Sequence, residues 1–458
     1  MKKLLFETDW LASTPVFYNE KTRKASHNIN EVIDYSSLEF DPEGFNYFLD
    51  FGYSVLEQTP LKHIKFLRHS SRLLADNSGT FSVECLDDPV EKWLDRSYGE
   101  AEVLDILETK VRAWERSCTG DIIIPTSGGY DSRLLNMLVE DKSRIRSFSY
   151  GISKIQSHSS EVVYAKKFSE ILGTRWEQIP IGDYHLYFDE WDRLFGASTH
   201  AHGMYHIEFY RKISPKVLGG NPFISGIIGD AWAGSVTVLD IESPKDVRQL
   251  GYTHGIKADS SFSHLSSNDR RLEEYFTNHR ERLRDSRLRV IEAMRFKIIL
   301  LCYLMIVPRS FGFKPWSPFL DIEVAMPMLN LPPERRQNRQ WQKDFFHARG
   351  VETESMGLYA NHTNVLDLYA LRRRPVQPLS VPLLREVVQP DYIEWINRNL
   401  HYSYMQSLLD DMLSIRKVGG ALRRLGVGKS RNEILKAYFA YLVLKPIENA
   451  IRSRKTER

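Results

Sequence analysis

The chain is poor in cysteine. Cys85, Cys118 and Cys302 are the three cysteines among its 458 residues, and no two of them form a C-x-x-C pair. This excludes a zinc ribbon, a redox dithiol and a disulfide framework, and makes a reducing cytoplasm the expected location. An excess of charge of one sign is also missing, because 62 Lys and Arg face 59 Asp and Glu. This near balance argues against a dedicated nucleic-acid binder.

Long apolar runs are missing as well. The strongest run, residues 298–307, has about half the length that a membrane-spanning helix needs. We therefore predict a buried core helix there and no membrane span. The first seven residues begin like a signal peptide but reach acidic and polar residues before an apolar region develops, so no export is expected.

Length and pattern predict three regions, since roughly 150 residues per domain allow two to four domains in this chain. Residues 1–100 are rich in aromatic and turn residues and are predicted to form a small β-rich domain. Residues 101–350 begin with alternating strand-like and helix-like segments, which predicts an α/β fold with a parallel sheet. Residues 351–458 are predicted to be a helical C-terminal region with a basic tail.

The α/β region can be predicted in more detail. Apolar spacing and the termination signals at Gly173 and neighbouring positions indicate its individual elements. The predicted helices are 103–116, 132–140 and 161–172. The predicted strands are 121–125 and 146–150, and residues 222–230 are predicted to be a buried strand that runs into a glycine-containing turn.

The basic tail comprises residues 416–458, in which twelve Lys and Arg accompany three Glu. Such a tail fits contact with nucleic acid or an anionic membrane, and it also fits a helix whose charged face is solvated. The sequence alone leaves these alternatives open.

A turn rich in glycine and hydroxyl groups is the most informative segment. It lies at residues 126–132, between an apolar strand and a helix. Glycines without a Cβ let backbone N–H groups surround phosphate oxygens, and the following helix offers its positive N-terminal end. Asp131 would repel a phosphate unless Mg²⁺ lay between them, so an anion site with a metal ion is predicted. The alternative is an ordinary turn in which Asp131 caps the helix.

The segment Ser-Gly-Gly-x-Asp-Ser, residues 127–132, resembles the loop of the ATP pyrophosphatases. In those enzymes the β,γ-pyrophosphate is held as the leaving group while the α-phosphorus is attacked. The resemblance implies an adenine nucleotide alpha hydrolase-like, parallel-sheet ATP pyrophosphatase domain.

Three further segments follow in the order found in one branch, the asparagine synthetase family of amide-forming enzymes. Phe148-Ser149-Tyr150-Gly151, with Glu161 after it, is similar to the strand and helix whose backbone reads adenine. Residues 225–234 resemble the segment with the second magnesium carboxylate, here Asp230. Residues 317–321, followed by Leu331-Pro332 and Lys343, resemble the segment that ends in a phosphate-neutralising lysine.

Residues 48–53 resemble the end of the family's glutaminase domain, so the resemblance covers about residues 45–350. The resemblance implies that ATP contacts Ser127, Gly128, Gly129, Tyr130, Asp131, Ser132, Arg133, Tyr150 and Gly151, that Mg²⁺ is bound by Asp131 and Asp230, and that Lys343, Asp131 and Asp230 are catalytic. For Arg133, phosphate contact and solvent exposure are both open.

Departures from the family pattern change the expected chemistry. Lys2 stands where a glutaminase exposes a cysteine, and the segment before the matched part is less than half the usual length, so glutamine hydrolysis is expected to be absent. Ile227 stands where an acid handles the incoming amine, and Ala231 replaces a Glu. The resemblance therefore supports carboxylate activation and leaves the amine step open.

A histidine group, His200, His202 and His206, lies between the second and third segments. These residues fit a metal cluster, ordinary core or surface histidines, or part of a substrate pocket. As substrate-binding residues we name His202, His206, Gly226 and Ile227.

We predict an ATP-dependent, AMP-forming ligase with ATP and Mg²⁺, which adenylates a small-molecule carboxylate and passes the acyl group to ammonia or an amine. The amine would come from solution, from a partner subunit or from the acceptor itself. Secondary metabolism or surface-polysaccharide decoration, such as amide formation on a uronic acid, is the expected setting. The alternatives are an RNA-modifying ATP pyrophosphatase and a nucleotide-binding scaffold without catalysis.

Overall fold

The computed structural model describes residues 2–217, 219–408 and 429–456. The strands are β1 Lys3–Glu7, β2 Phe17–Asn19, β3 Ala25–Ser26, β4 Ile64–Phe66, β5 Ser71–Ala75, β6 Phe81–Cys85, β7 Ile122–Pro125, β8 Ile145–Ser149, β9 Arg175–Gln178, β10 Pro222–Ile224 and β11 Lys314–Trp316.

The first helices are α1 Pro42–Phe51, α2 Glu100–Arg116, α3 Tyr130–Leu138, α4 Ser160–Leu172, α5 Phe188–Phe195, α6 Met204–Ile213, α7 Gly229–Ala233, α8 Arg270–His279, α9 Ser286–Leu301 and α10 Tyr303–Ser310. They are followed by α11 Ile322–Leu329, α12 Pro333–Arg336, α13 Gln340–Ala348, α14 Leu366–Arg373, α15 Val381–Leu384, α16 Pro390–Asn399 and α17 Lys429–Thr456. Short 3-10 turns connect many of these elements.

A five-stranded parallel sheet lies at the centre, in the order β11-β10-β7-β8-β9. The chain therefore builds the sheet outward from β7 in one direction and then returns to β7 to build in the other. Ile123 on β7 faces one apolar core, whereas Ile122 and Ile124 face a second core on the opposite side. An apolar strand buried on both faces is typical of such sheets. The prediction of an α/β fold with a parallel sheet is confirmed.

Residues 3–85 contain two antiparallel sheets of three strands each, β1-β5-β6 and β3-β2-β4. This region is tied to α9 by a buried charge cluster. Arg295 donates hydrogen bonds to the Trp10 carbonyl oxygen and to the carboxylates of Asp88 and Glu292. The Trp10 indole also lies against the Trp232 ring, with centroids 5.7 Å apart. Both contacts reach the elements that carry the site described below.

Helix α17 belongs to the predicted basic tail, and it packs against α15, α16 and α1. Its buried side includes Tyr438 and Leu442. The fully buried Glu448 carboxylate accepts hydrogen bonds from Lys445 and Arg452, at 2.5 and 3.0 Å. This part of the tail is therefore a packed helix, whereas residues 416–428 of the tail lie outside the described residues.

Among the helices of the described ranges, none combines the length and the apolar composition that crossing a bilayer requires. The apolar run 298–307 lies in α9 and α10, and Ile298, Ile299 and Val307 are buried there.

Candidate functional site

A cavity of about 580 Å³ opens at the carboxyl ends of β7, β8 and β10. Strands β7 and β10 are neighbours in the sheet although they are far apart in the chain, because the strand order reverses between them. In open α/β sheets the crevice at this reversal is where ligands bind. The volume is in the range of small-molecule sites, which is about 300–1,000 Å³.

The turn after β7 forms one edge of the cavity, to which Ser127, Gly129 and Ser132 contribute. The Ser132 hydroxyl accepts a hydrogen bond from the Ser127 backbone N–H at 3.1 Å. The Ser127 hydroxyl accepts one from the Gly129 N–H, also at 3.1 Å. These bonds hold the turn at the N-terminus of α3, a helix of nine residues whose positive end faces the cavity rim. The turn thus places hydroxyl groups and a helix N-terminus at the edge of the cavity, and anion binding there stays a prediction.

Two carboxylates meet in the cavity. Asp131, in the first turn of α3, and Asp230, in the first turn of α7, both line it. Burial and the like charge of Asp230 raise the pKa of Asp131 to about 7. Paired acids that repel each other in this way favour a bound cation, and carboxylate oxygens are ligands that Mg²⁺ prefers. The donor set of the two predicted metal residues therefore fits a magnesium ion.

Glycine at two positions lets these loops approach each other. A Cβ on Gly226 would lie 3.2 Å from Asp131 Cβ, tighter than nearly all real contacts. A Cβ on Gly229 would lie 2.7 Å from the Phe319 ring. After β10, glycine is therefore required at Gly226 and Gly229 by the close approach of α3 and of residues 318–320.

Helix α13 brings a glutamine to Asp131. Gln342 Nε2 lies 3.4 Å from Asp131 Oδ1, and the Gln342 side chain is fully buried. The positive charge of Arg339 also acts on Asp131 and opposes the rise of its pKa. Lys343, the predicted catalytic lysine, is the residue after Gln342, yet it is not among the described residues that line the cavity.

The lysine that does line the cavity is Lys297 on α9. Its ammonium lies 3.3 Å from the centroid of the Tyr252 ring and 3.4 Å from His254 Nε2. Burial lowers the pKa of Lys297 to about 8, and the charge of Asp230 opposes that change. Sequence reasoning missed this lysine. A charged residue inside the apolar helix around residues 294–301 was the available signal.

An aromatic wall lies beyond β8, where Tyr150 packs edge-on against Tyr205 and Phe209 of α6. His206 belongs to the same wall and lines the cavity. Burial lowers the pKa of His206 to about 3, so its ring is neutral near pH 7. Gly226 and Ile227 line the cavity as predicted for substrate-binding residues.

His202 is placed elsewhere, because its Nε2 lies 3.2 Å from the Asp367 carboxylate and the residue does not line the cavity. His200 is buried, and burial lowers its pKa to about 3. The three histidines therefore lie in different surroundings. Among the described residues, the group of three that could hold a metal ion is His69, Asp88 and Glu292, whose two carboxylates Arg295 already occupies.

Arg133 points away from the cavity, which corrects both alternatives for this residue. Its side chain is fully buried, pairs with Glu354 and donates a 2.7 Å hydrogen bond to Thr353 Oγ1. The guanidinium lies over the rings of Tyr130 and Phe346. Arg133 therefore holds α3 in place, and it neither lines the cavity nor faces solvent.

The other predicted ATP residues differ in how directly they reach the cavity. Tyr150 lines it, and Tyr130 is buried in the packing of α3. A Cβ on Gly128 would lie 3.0 Å from the Tyr164 ring. A Cβ on Gly151 would collide with the Gln156 carbonyl oxygen. These two glycines allow close packing of the turns beside the cavity.

A scan against protein-family models found no match to this chain, and a search of curated proteins found none either.

Proposed function

We propose that this protein is an ATP-dependent, AMP-forming ligase of the asparagine synthetase type. The observation that carries the proposal is the meeting of Asp131 and Asp230 beside the hydroxyl-lined turn at the sheet reversal. This arrangement suits the triphosphate of ATP with its Mg²⁺, and the sequence motif on the turn is that of the ATP pyrophosphatases.

In the proposed reaction, an oxygen of the substrate carboxylate attacks the α-phosphorus of ATP. The bond from that phosphorus to the oxygen bridging to the β-phosphate breaks, and pyrophosphate leaves. An amine nitrogen then attacks the carbonyl carbon of the acyl-adenylate, loses a proton and displaces AMP, which forms an amide. Bound Mg²⁺, held by Asp131 and Asp230, would neutralise phosphate charge.

This chain's residues supply positioning and electrostatics. In the proposed complex the N-terminus of α3 and the hydroxyls of the turn 127–132 hold the pyrophosphate, because the Ser127 and Gly129 N–H groups are already bonded within the turn. The end of β8, at Ser149 and Tyr150, offers backbone groups to the adenine. Lys343, expected to neutralise phosphate charge, is not among the described residues that line the cavity, whereas Lys297 is.

The test is release of AMP and pyrophosphate from Mg²⁺-ATP by the whole chain, with a panel of carboxylic acids and with or without ammonium. We expect AMP with at least one acid, and its loss in Asp131→Asn. The exposed Asp87→Asn is the matched control and is expected to behave as wild type.

Two other outcomes would contradict the ligase. Tight ATP binding without AMP from any acid would indicate a nucleotide-binding scaffold, the alternative that Ile227 and Ala231 motivate. AMP formation that requires transfer RNA, with strongly salt-dependent binding, would indicate an RNA-modifying enzyme.

A further inference from the structure

One wall of the cavity is a stripe along α9 and the start of α10. Met294, Lys297, Leu301 and Leu304 all line the cavity. Their spacing of three, four and three residues places them on one side of a helix. The wall therefore consists of three apolar side chains and a single cation.

The cation on this wall lacks an anionic partner. The Lys297 residue is 3% exposed, and within the part of the chain that the structure describes no carboxylate forms an ion pair with its ammonium, although the charge of Asp230 acts on it from a greater distance. Its neighbours are the Tyr252 ring face and His254 Nε2. Because a buried charge is costly without a counter-charge, an ammonium held at a cavity wall points to an anionic ligand.

The anion is better identified as a substrate carboxylate than as the pyrophosphate. Under the proposed function the turn 127–132 and the cation on Asp131 and Asp230 already serve the pyrophosphate. Lys297 lies on α9, a different element, and the apolar side chains of Met294 and Leu301 flank it along the helix.

Few acids of the cavity could receive an amino group on the substrate. The described acids that line it are Asp131, Glu161 and Asp230, and the first and last are assigned to the metal under the proposed function. Glu161 lies on α4, away from the stripe on α9. A substrate ammonium packed against the stripe or against the apolar Ile227 would be buried without compensation.

We propose that Lys297 binds the carboxylate to be adenylated, and that the substrate is a monocarboxylic acid with an apolar body packed along Met294, Leu301 and Leu304. This inference rests on the proposed function and specifies its substrate class. Amino acids and uronic acids are then poorer substrates, because the ammonium or hydroxyl groups on the part that packs along this stripe would face hydrocarbon.

The test measures AMP release by the whole chain with acetate, hexanoate and phenylacetate against aspartate and glucuronate, alongside a separate measurement of Mg²⁺-ATP affinity. We expect hexanoate and phenylacetate to give the highest kcat/KM. In Lys297→Met the KM for these acids should rise about 10- to 100-fold, the usual effect of losing a hydrogen bond to a charged group. The Kd for Mg²⁺-ATP should stay within about twofold.

Matched variants separate binding from a merely structural effect. Lys297→Arg keeps the charge and should restore most of the affinity for the acid, while Lys436→Met, at an exposed lysine of α17, should behave as wild type. Leu304→Thr should raise the KM for hexanoate and leave that for acetate unchanged. Leu304→Thr tests the apolar wall even if Lys297→Met does not fold.

The outcomes that overturn the inference differ from those that overturn the ligase. AMP formation with aspartate or glucuronate and none with the apolar acids would refute the substrate class and leave the ligase standing. An unchanged KM in Lys297→Met would refute the role of Lys297. No ATP binding, or no AMP with any acid, would refute the ligase itself.

Discussion

At the residue scale, the decisive feature is that Asp131 carries a carboxylate in a place that disfavours its ionised form. Burial and the nearby Asp230 raise its pKa to about 7. An ordinary surface aspartate would ionise near pH 4. Under the proposed function, a cation bound by Asp131 and Asp230 removes the repulsion between the two carboxylates.

Asp131→Asn is expected to stabilise the metal-free protein at pH 8. A pKa raised on folding means that the folded chain binds more protons than the unfolded chain between about pH 4 and 7, so wild-type stability falls as the pH rises through that window. The amide has no such loss, and we expect a gain of up to about 4 kcal/mol at pH 8. Thermal unfolding in EDTA at pH 5 and pH 8 measures it.

The same variant should lose its stabilisation by Mg²⁺-ATP. Equal unfolding temperatures for wild type and Asp131→Asn at pH 8 would contradict the raised pKa. Stabilisation of the variant by Mg²⁺-ATP to the wild-type extent would contradict the placement of the metal on this carboxylate.

At the element scale, the contact between two turns aligns the site. Gly226, after β10, lies against Asp131, after β7, with room for no further atom, since an added Cβ would be 3.2 Å from Asp131 Cβ. Because each turn is anchored by its own strand, the spacing of adjacent strands brings the carboxylates of Asp131 and Asp230 together.

Gly226→Ala is expected to weaken Mg²⁺-ATP binding by about three- to tenfold, because Asp131 must shift by a few tenths of an ångström. Calorimetric titration with Mg²⁺-ATP measures this change. Gly219→Ala is the control, since a Cβ there meets nothing within 4 Å. Equal affinities in the two variants would show that the close approach does not position the carboxylate.

Helix α17 is held in place by hydrogen bonds to a buried acid, Glu448. Glu448 accepts hydrogen bonds from Lys445, from Arg452 and from the Ser380 backbone N–H. Glu448→Leu leaves these donors without a partner and should cost about 3–5 kcal/mol. Arg452→Ala removes a donor that is 60% exposed, so its cost should be below about 1 kcal/mol. Denaturant midpoints of the two variants measure the difference.

At the scale of the whole molecule, the N-terminal region is joined to the site-bearing elements through Arg295. This buried guanidinium contacts Trp10, Asp88 and Glu292. Burial alone would oppose ionisation of Glu292, but the charge of Arg295 lowers its pKa to about 2. The pKa of Asp88 is also lowered, against its burial, by hydrogen bonds and charge from Arg295.

Arg295→Met is expected to cost about 3–5 kcal/mol at pH 7, because it removes the cation that pairs with the buried Glu292 and one of the two guanidinium groups that pair with Asp88. Glu292 keeps the Tyr275 hydroxyl, and Asp88 keeps Arg282. Both pKa values are depressed on folding, so the stability they contribute is present above about pH 4 and is lost as the pH falls towards 2. The variant should therefore show a flatter dependence of stability on pH below 4. Denaturation curves between pH 7 and 3 test this, and parallel curves for the two proteins would contradict it.

The local parts of this protein followed from the sequence. The strand before the turn, the turn itself and helices α2, α3 and α4 depend on short-range apolar spacing and termination signals, and Gly173 ends α4 in the left-handed conformation with φ of 68°. Residues within one such segment are neighbours in any compact fold, so their pattern is legible without knowledge of the rest.

Strands β9 and β11 were not predicted from the sequence. Residues 175–178 carry no apolar alternation, and β11 contains Pro315. Both are edge strands, where pairing with one neighbour decides the conformation and a proline is tolerated. Their assignment required knowledge of the partner strand.

Only the tertiary structure decided which side chains share the cavity. Lys297 is 166 residues beyond Asp131 in the chain, and it reaches the site because α9 packs beside α7. Lys343 follows Gln342 in the chain but is not among the described residues that line the cavity, and Arg133 pairs with Glu354. The order of motifs in the sequence identifies candidate residues. The direction of each side chain depends on helix packing, which is set by contacts across the whole chain.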